Sequence, residues 1–227
     1  MPSFHDFRFL STDGKHNVFA RECTPDGEVR AVLQIAHGVA EHIYRYAPFM
    51  EFLAENGFVV VANDHLGHGK TAENEQELCF FAEKDGWNDV VSDMDTLHKL
   101  TAAKYPDVPY FLFGHSMGSF LTRTYIIDHP EGLKGVVISG TGQNPGAVIA
   151  AGKLMAKLEM IDNGPMYHSP TLDKLAFGSY NKKYDHVRTK LDWLTRDEAV
   201  VDAYIADPLC GAMATAGMFH DMMGGLQ

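Results

Sequence analysis

PYFLFGHSMGSF, residues 109–120, places Ser116 between two glycines, where an apolar run gives way to a helix-forming segment. Its pentapeptide GHSMG, residues 114–118, matches the pattern G-x-S-x-G, in which a serine lies on a strained turn between a strand and a helix. The run YFLF supplies the strand and the segment SFLTRTYII supplies the helix. Glycines flank the serine because side chains there would collide with the neighbouring strand and helix. The stretch therefore predicts a turn that exposes the Ser116 hydroxyl, rather than a coincidental Gly/Ser turn.

Strand-like and helix-like segments alternate on both sides of this stretch. FHDFRFLS and HNVFARECT, joined through Asp13-Gly14, predict an opening antiparallel pair. Further strands are predicted at RAVLQIAHG, FVVVANDH, PYFLFGHS and LKGVVISGTG, and helices at YRYAPFMEFLAENG, GWNDVVSDMDTLHKLTAAKYP and MGSFLTRTYIIDHP. This alternation is typical of an α/β fold, a mostly parallel sheet with helices on both faces.

The character of the chain changes at about Asn144. Three later segments, PGAVIAAGKLMAKLEMID, SPTLDKLAFGSYNKK and TRDEAVVDAYIADP, predict helices and loops without an intervening strand. We therefore predict an α/β core over residues 1–142, a helical cap inserted over residues 143–210, and a return helix over residues 211–227.

A serine on such a turn needs two backbone N–H groups to hold the oxyanion that forms when it attacks a carbonyl. The first is predicted to be that of Met117, at the helix N-terminus. Val39 N–H is the second candidate, because His37-Gly38 in AHGVAEH lets the backbone turn back toward the serine. The alternative is that His37-Gly38 is only a tight turn.

Three motifs in this order, HGVAEHIYRY, NDHLGHGKT and GHSMGS, resemble those of the monoacylglycerol lipase and lysophospholipase branch of the α/β-hydrolase superfamily. The resemblance extends from the first strand to DPLC. It implies an α/β-hydrolase fold with a helical cap, a serine nucleophile at Ser116, and oxyanion positions at Val39 and Met117. It also implies hydrolysis of medium- or long-chain acyl esters without a cofactor.

The serine's catalytic partners are not evident in the sequence. In this superfamily an acid follows the seventh strand and a histidine follows the eighth, whereas only six strands are predicted here. The histidines after Ser116 are His129, His168, His186 and His220, and none follows a predicted strand. We therefore expect the last two strands and both partners to lie beyond residue 227, with His220 as the best substitute within the chain.

Two further segments resemble ligand sites of other kinds. LGHGKT ends like a phosphate-binding loop, but the pattern G-x-x-x-x-G-K-[ST] needs a glycine where this chain has Asp64. His37, His42, His65 and His68, together with Asp64, match no standard spacing of metal ligands, so we predict no metal site there.

Composition limits the possible binding partners and the cellular location of the protein. The formal net charge of −11 argues against a nucleic-acid surface, and no stretch is apolar enough for stable membrane insertion. The three widely spaced cysteines, Cys23, Cys79 and Cys210, and a start without a signal peptide favour a cytoplasmic protein. The sequence predicts neither the oligomeric state nor the length of the acyl chain in the substrate.

Methionines late in the chain suggest where an acyl chain could lie. Met155, Met160, Met166, Met218, Met222 and Met223 are flexible side chains that could line a pocket for a lipid-like acyl ester, or could only pack the cap onto the core. The same fold also hosts thioesterases, peptidases and carbon–carbon bond hydrolases, and a chain without the triad partners would bind without turnover.

Overall fold

The computed structural model describes all 227 residues, in six strands and seven α-helices. The strands are β1 (Ser3–Leu10), β2 (Asn17–Thr24), β3 (Ala31–Ala36), β4 (Phe58–Asn63), β5 (Tyr110–His115) and β6 (Leu133–Ser139). The helices are α1 (Ala47–Glu55), α2 (Gly86–Lys104), α3 (Met117–Asp128), α4 (Gly146–Asn163), α5 (Pro170–Phe177), α6 (Glu198–Ala206) and α7 (Ala216–Gly225). Short 3-10 turns lie at Ile43–Tyr46, Glu75–Glu77, Tyr180–Lys183 and Asp192–Leu194.

All six strands form one sheet in the order β1-β2-β4-β3-β5-β6. The pairs β1/β2 and β2/β4 are antiparallel, and β4, β3, β5 and β6 run parallel to one another. The α/β-hydrolase sheet predicted from the sequence is therefore confirmed. Parallel strands bring their carboxyl ends to one edge, so the loops after β3, β4 and β5 meet there.

The sheet buries apolar side chains on both faces. In β4, Val60 packs with Met50 of α1, whereas its neighbours Val59 and Val61 pack with Leu97 of α2 on the opposite face. Such near-continuous burial of valines is typical of a central parallel strand covered on both sides. The predicted first helix differs in one detail: α1 starts only at Ala47, after the 3-10 turn, with a proline in its first turn, where its missing N–H costs nothing.

Residues 143–210 contain helices and loops, and their one bridge is an isolated antiparallel contact between His168 and Thr215. Helix α4 packs against α7, with Gly152 beside the Met223 sulfur. The segment from α5 to α6 lies over the carboxyl edge of the sheet, above Ser116. None of the helices combines the length and the apolar character that crossing a bilayer requires.

Candidate active site

Ser116 lies at the junction of β5 and α3, with φ of 52° and ψ of −119°. Positive φ is uncommon for a residue with a side chain, costs about 1–3 kcal/mol, and persists only where the surroundings enforce it. Here they do: the Ser116 N–H donates to the Ser139 carbonyl at 2.9 Å, and its carbonyl accepts from the Ser119 N–H at 2.9 Å. The structure therefore places Ser116 on the strained strand-to-helix turn that the sequence predicts.

The two glycines beside the serine are required by close backbone contacts. A Cβ at Gly118 would lie 2.0 Å from the Ala36 carbonyl oxygen, so α3 approaches the end of β3 more closely than any side chain allows. A Cβ at Gly114 would lie 2.2 Å from Thr122 Oγ1 and 2.4 Å from the Gly118 carbonyl oxygen. The turn at Ser116 is thus packed in direct backbone contact with the end of β3 and the first turns of α3.

The loop after β3 passes directly beside Ser116. A Cβ placed on Gly38 would lie 3.2 Å from the Ser116 Cβ and 2.7 Å from Glu41 Oε1. Val39 follows, and its N–H donates to no backbone acceptor. Met117 is the first residue of α3, so its N–H has no acceptor within the helix. Both N–H groups predicted to hold an oxyanion therefore flank the serine.

Glu41 fixes the conformation of this loop. Its carboxylate, buried to 4% exposure, accepts the Gly38 N–H at 2.6 Å and the Tyr46 hydroxyl at 2.8 Å, and it pairs with Arg45. Glu41 was not among the functional residues predicted from the sequence. The signal was present, since a glutamate three residues after a glycine N–H is the spacing at which a side chain bonds back to the backbone.

Three buried histidines, His37, His65 and His68, support the same edge of the sheet. His37 donates from Nδ1 to the Gly38 carbonyl at 2.7 Å and accepts the His65 N–H at Nε2, at 3.0 Å. These contacts fix the neutral tautomer, and burial lowers the pKa of His37 to about 3. Burial likewise lowers the pKa of His68 to about 3. The rings of His37 and His68 hold these loops by hydrogen bonds, the His65 ring packs against His37 with centroids 4.2 Å apart, and all three remain uncharged at neutral pH.

Asp64 joins the loops after β3 and β4. Its two carboxylate oxygens accept the Ile43 N–H at 2.8 Å and the Lys70 N–H at 2.7 Å. Burial raises the pKa of Asp64, and the two N–H donors oppose that rise. His37 and His68 bond within their own loops, whereas Asp64 bonds across the two loops.

A cavity of about 780 Å³ opens above Ser116. Gly38, Val39 and Ser116 form its floor, and the segment from α5 to the loop after α6 forms its walls. Aromatic walls are contributed by Phe177 and Trp193, whose rings stack with centroids 6.2 Å apart. Helix α4, part of the predicted cap, contributes no lining residue.

Of the two roles considered for the six late methionines, lining the cavity is not observed, whereas packing is observed for those that are buried. Met218 and Met222 are buried in the core cluster that α7 forms with α2 and α3, and Met160 and Met223 pack against that cluster. Met155 and Met166 are exposed at 38% and 39%. Those that are buried fill gaps around α4 and α7, because a helix that packs on another helix needs adaptable apolar side chains there.

No histidine ring forms a hydrogen bond with Ser116. His115 Nδ1 lies 3.2 Å from the Ser139 hydroxyl, and His168 Nδ1 bonds to the Met213 carbonyl at 2.6 Å. His129 faces Asp95 at 3.7 Å, and His220 faces its neighbour Asp221 at 3.5 Å. His220, the substitute suggested by the sequence, is therefore engaged away from the serine.

Known proteins share this fold and this sequence pattern. Residues 27–227 match the family model described as serine aminopeptidase, S33. The chain belongs to this family of α/β hydrolases. The monoglyceride lipase of Mus musculus is 29% identical over 202 residues, and the monoacylglycerol lipase of Mycolicibacterium smegmatis is 30% identical over 191 residues.

These alignments cover 88% and 82% of the chain and 58% of each relative, so the chain spans just over half the length of either lipase. Among solved structures, a thermostable carboxyl esterase from Bacillus coagulans is similar, with a TM-score of 0.88 and 30% identity. That alignment covers 99% of this chain and 73% of the esterase. The resemblance to the monoacylglycerol lipase branch is confirmed.

Proposed function

We propose that the protein is a serine carboxylic-ester hydrolase of the monoacylglycerol lipase or lysophospholipase type. The observation that carries this proposal is the strained Ser116, which faces a cavity of about 780 Å³ beside the free N–H of Val39. A serine held in this conformation presents its hydroxyl to a bound carbonyl, which a relaxed loop would not do.

Each group in the site has one role in the proposed reaction. Ser116 Oγ attacks the ester carbonyl carbon, its proton passes to a base, and the N–H groups of Val39 and Met117 hold the oxyanion. Collapse of the tetrahedral intermediate breaks the ester bond, and the alcohol leaves with the proton from the base. Water then attacks the acyl-enzyme and releases the fatty acid. No cofactor takes part in these steps.

The base and its acid are the two groups that residues 1–227 do not bring to Ser116. We assign them to a histidine and a carboxylate outside these residues, as the strand order of the superfamily implies. Without them the Ser116 hydroxyl is not activated, so the 227-residue chain alone should bind an acyl ester without turning it over.

The substrate class rests on the cavity and on the relatives. Residues 143–210 act in this proposal as a cap, whose aromatic and aliphatic side chains Phe177, Trp193 and Leu194 contact the acyl chain. The two relatives are named as lipases of monoacylglycerols, and the Bacillus coagulans esterase was solved in complex with glycerol. A lipid-like monoacylglycerol ester is therefore the proposed substrate.

We place the protein in the cytoplasm, because its three cysteines are free and a reducing compartment keeps them so. The family description mentions an aminopeptidase, so peptide hydrolysis is the alternative activity to separate. A panel of acyl esters, an acyl-CoA and an aminoacyl amide distinguishes the ester hydrolase from a thioesterase and a peptidase.

The test uses the protein expressed from its complete reading frame, next to the chain that ends at Gln227. We expect the former to hydrolyse monoacylglycerol and to react with a fluorophosphonate probe, and Ser116→Ala to lower the rate by about 10³-fold or more. The matched control Ser179→Ala, at an exposed serine, should keep full activity. Faster cleavage of the aminoacyl amide than of any ester would refute the ester assignment.

A further inference from the structure

A second cluster of reactive side chains lies beside the loop that carries Val39. His42 comes from that loop, whereas Asp207 and Cys210 come from the loop after α6. One potential ligand atom from each residue lies within 4.8 Å of the other two. His42 Nε2 is 2.8 Å from Asp207 Oδ2, a contact that joins residues 165 positions apart.

The segment DPLC, residues 207–210, forms a turn that presents two of these side chains together. The Cys210 N–H donates to the Asp207 carbonyl at 3.0 Å, and the Leu209 N–H donates to Asp207 Oδ1 at 2.9 Å. Asp207 and Cys210 thus occupy positions i and i+3 of the turn. This is the spacing with which C-x-x-C pairs hold zinc.

His42 supplies the third group from the other side. The residue is only 5% exposed, and its Nδ1 is buried without any hydrogen-bond partner. Nε2, the ring nitrogen that faces Asp207, is the atom that could bind an ion, and Nδ1 would then carry the ring proton. Metal binding at Nε2 would replace its hydrogen bond to Asp207, so that His42 and Asp207 would become ligands of the same ion.

We propose that His42, Asp207 and Cys210 bind one divalent transition-metal ion of the zinc class. A nitrogen, a carboxylate oxygen and a sulfur are the donors that Zn²⁺ accepts, and a tetrahedral ion would take a water as its fourth ligand. The thiolate and the carboxylate together balance the charge of the ion. Binding requires the three atoms to contract around it and displaces the thiol proton to solvent.

The ion would connect two elements that form the cavity. The loop after α6 already touches the Val39 loop through two bonds to the Ala40 carbonyl, from the Gly211 N–H at 2.9 Å and the Tyr204 hydroxyl at 2.6 Å. A metal at His42 would fasten the end of the predicted cap to the residues beside Ser116. The site itself is independent of the reaction that Ser116 performs.

The experiment titrates the reduced, chelator-treated 227-residue chain with Co²⁺ and then with Zn²⁺. We expect one equivalent of Co²⁺ per chain, with a thiolate-to-cobalt charge-transfer band in the near ultraviolet that Zn²⁺ abolishes. Cys210→Ser should remove the band. Asp207→Asn should weaken Co²⁺ binding more than the 10–100-fold, roughly, that loss of an outer partner costs.

The matched control is Cys79→Ser, since Cys79 also lies beside a histidine, with its sulfur 3.9 Å from His68 Nε2. This variant should keep the band, and circular dichroism should show that every variant is folded. Nuclear magnetic resonance of His42 adds a measurement that needs no mutation, because its ring signals should shift on saturation with Zn²⁺. Absence of Co²⁺ binding, a band that survives Cys210→Ser, or one lost in Cys79→Ser would overturn the proposal.

Discussion

Ser116 has two very different flanks. On the β3 flank, which comprises loops 37–42 and 64–69, buried polar groups fix the backbone through Glu41, Asp64 and His37. On the opposite flank, β6 pairs only with β5 and leaves its other edge open. Its Val136, Val137 and Ile138 are exposed at 36%, 51% and 37%.

The difference between the two flanks shows which part of the site is held in place by contacts within this chain. The loop after β3, which carries Val39, is held by contacts within residues 37–69 and by the bonds from Tyr204 and Gly211 to the Ala40 carbonyl, all within this chain. On the β6 flank one strand edge is unpaired, although the Ser139 carbonyl on that strand accepts the Ser116 N–H. Successive side chains of a strand point to opposite faces of the sheet. Because three consecutive apolar residues of β6 are exposed, neither face of β6 is fully covered there.

The largest expected effect concerns the contact between α3 and β3. Gly118→Ala should lower the free energy of unfolding by about 3 kcal/mol or more, because its Cβ would meet the Ala36 carbonyl at 2.0 Å and the backbone must shift. The matched control is Gly146→Ala at the start of α4, where a Cβ meets nothing within 4 Å. That change should be neutral or stabilise by up to about 1 kcal/mol. Urea denaturation of both variants measures the contrast, and equal losses would show that the β3 flank is not tightly packed.

The next effect concerns the hydrogen bonds that hold the loop after β3, which carries Val39. Glu41→Ala should lower the free energy of unfolding by about 2 to 3 kcal/mol, because the Gly38 N–H and the Tyr46 hydroxyl lose their acceptor in a buried place. Glu41→Gln keeps one acceptor oxygen and should cost roughly half as much. Denaturant titration at neutral pH compares the two variants. A buried group without a partner costs about 1–3 kcal/mol, so a loss below about 1 kcal/mol for alanine would contradict the role given to Glu41.

A third effect depends on pH. His65 is buried, neither ring nitrogen has a partner, and burial lowers its pKa well below the usual value of 6.5. The unfolded chain takes up a proton below pH 6.5 and the folded chain does not, so His65 destabilises the fold as the pH falls. His65→Leu should therefore cost little at about pH 7 and should stabilise the variant relative to wild type by about 2 kcal/mol at about pH 5.

Urea unfolding at the two pH values measures this difference for His65→Leu and for the control His186→Leu, at an exposed histidine. The control should not reproduce the gain in stability that His65→Leu shows at about pH 5. An equal response of the two variants would mean that the His65 ring is hydrated in the folded protein.

The sequence predicts the β3 flank better than the segment above the cavity, for a physical reason. Strand and helix periodicity locate β3, β5 and α3, and the glycines around Ser116 record a steric requirement that any sequence of this fold must meet. The contact between His42 and Asp207 joins positions 165 residues apart, and no local pattern encodes it. The aromatic pair Phe177 and Trp193 lies in short helices and turns whose packing has no period, so no pattern in the sequence marks the pair as part of the cavity.

The smallest expected effect on stability is at the edge strand β6. A substitution there also tests most directly whether this flank is open. Val137→Lys in the 227-residue chain should change the free energy of unfolding by less than about 0.5 kcal/mol, since the side chain is already half exposed. A lysine on an open edge opposes pairing with a second strand, so self-association of this chain should fall, as sedimentation velocity would show. Val148→Lys, at a similarly exposed valine on α4, is the control and should leave association unchanged. If Val137→Lys instead unfolds the chain, or if both variants reduce association alike, then β6 is not an open strand edge and the contrast between the two flanks of Ser116 does not hold.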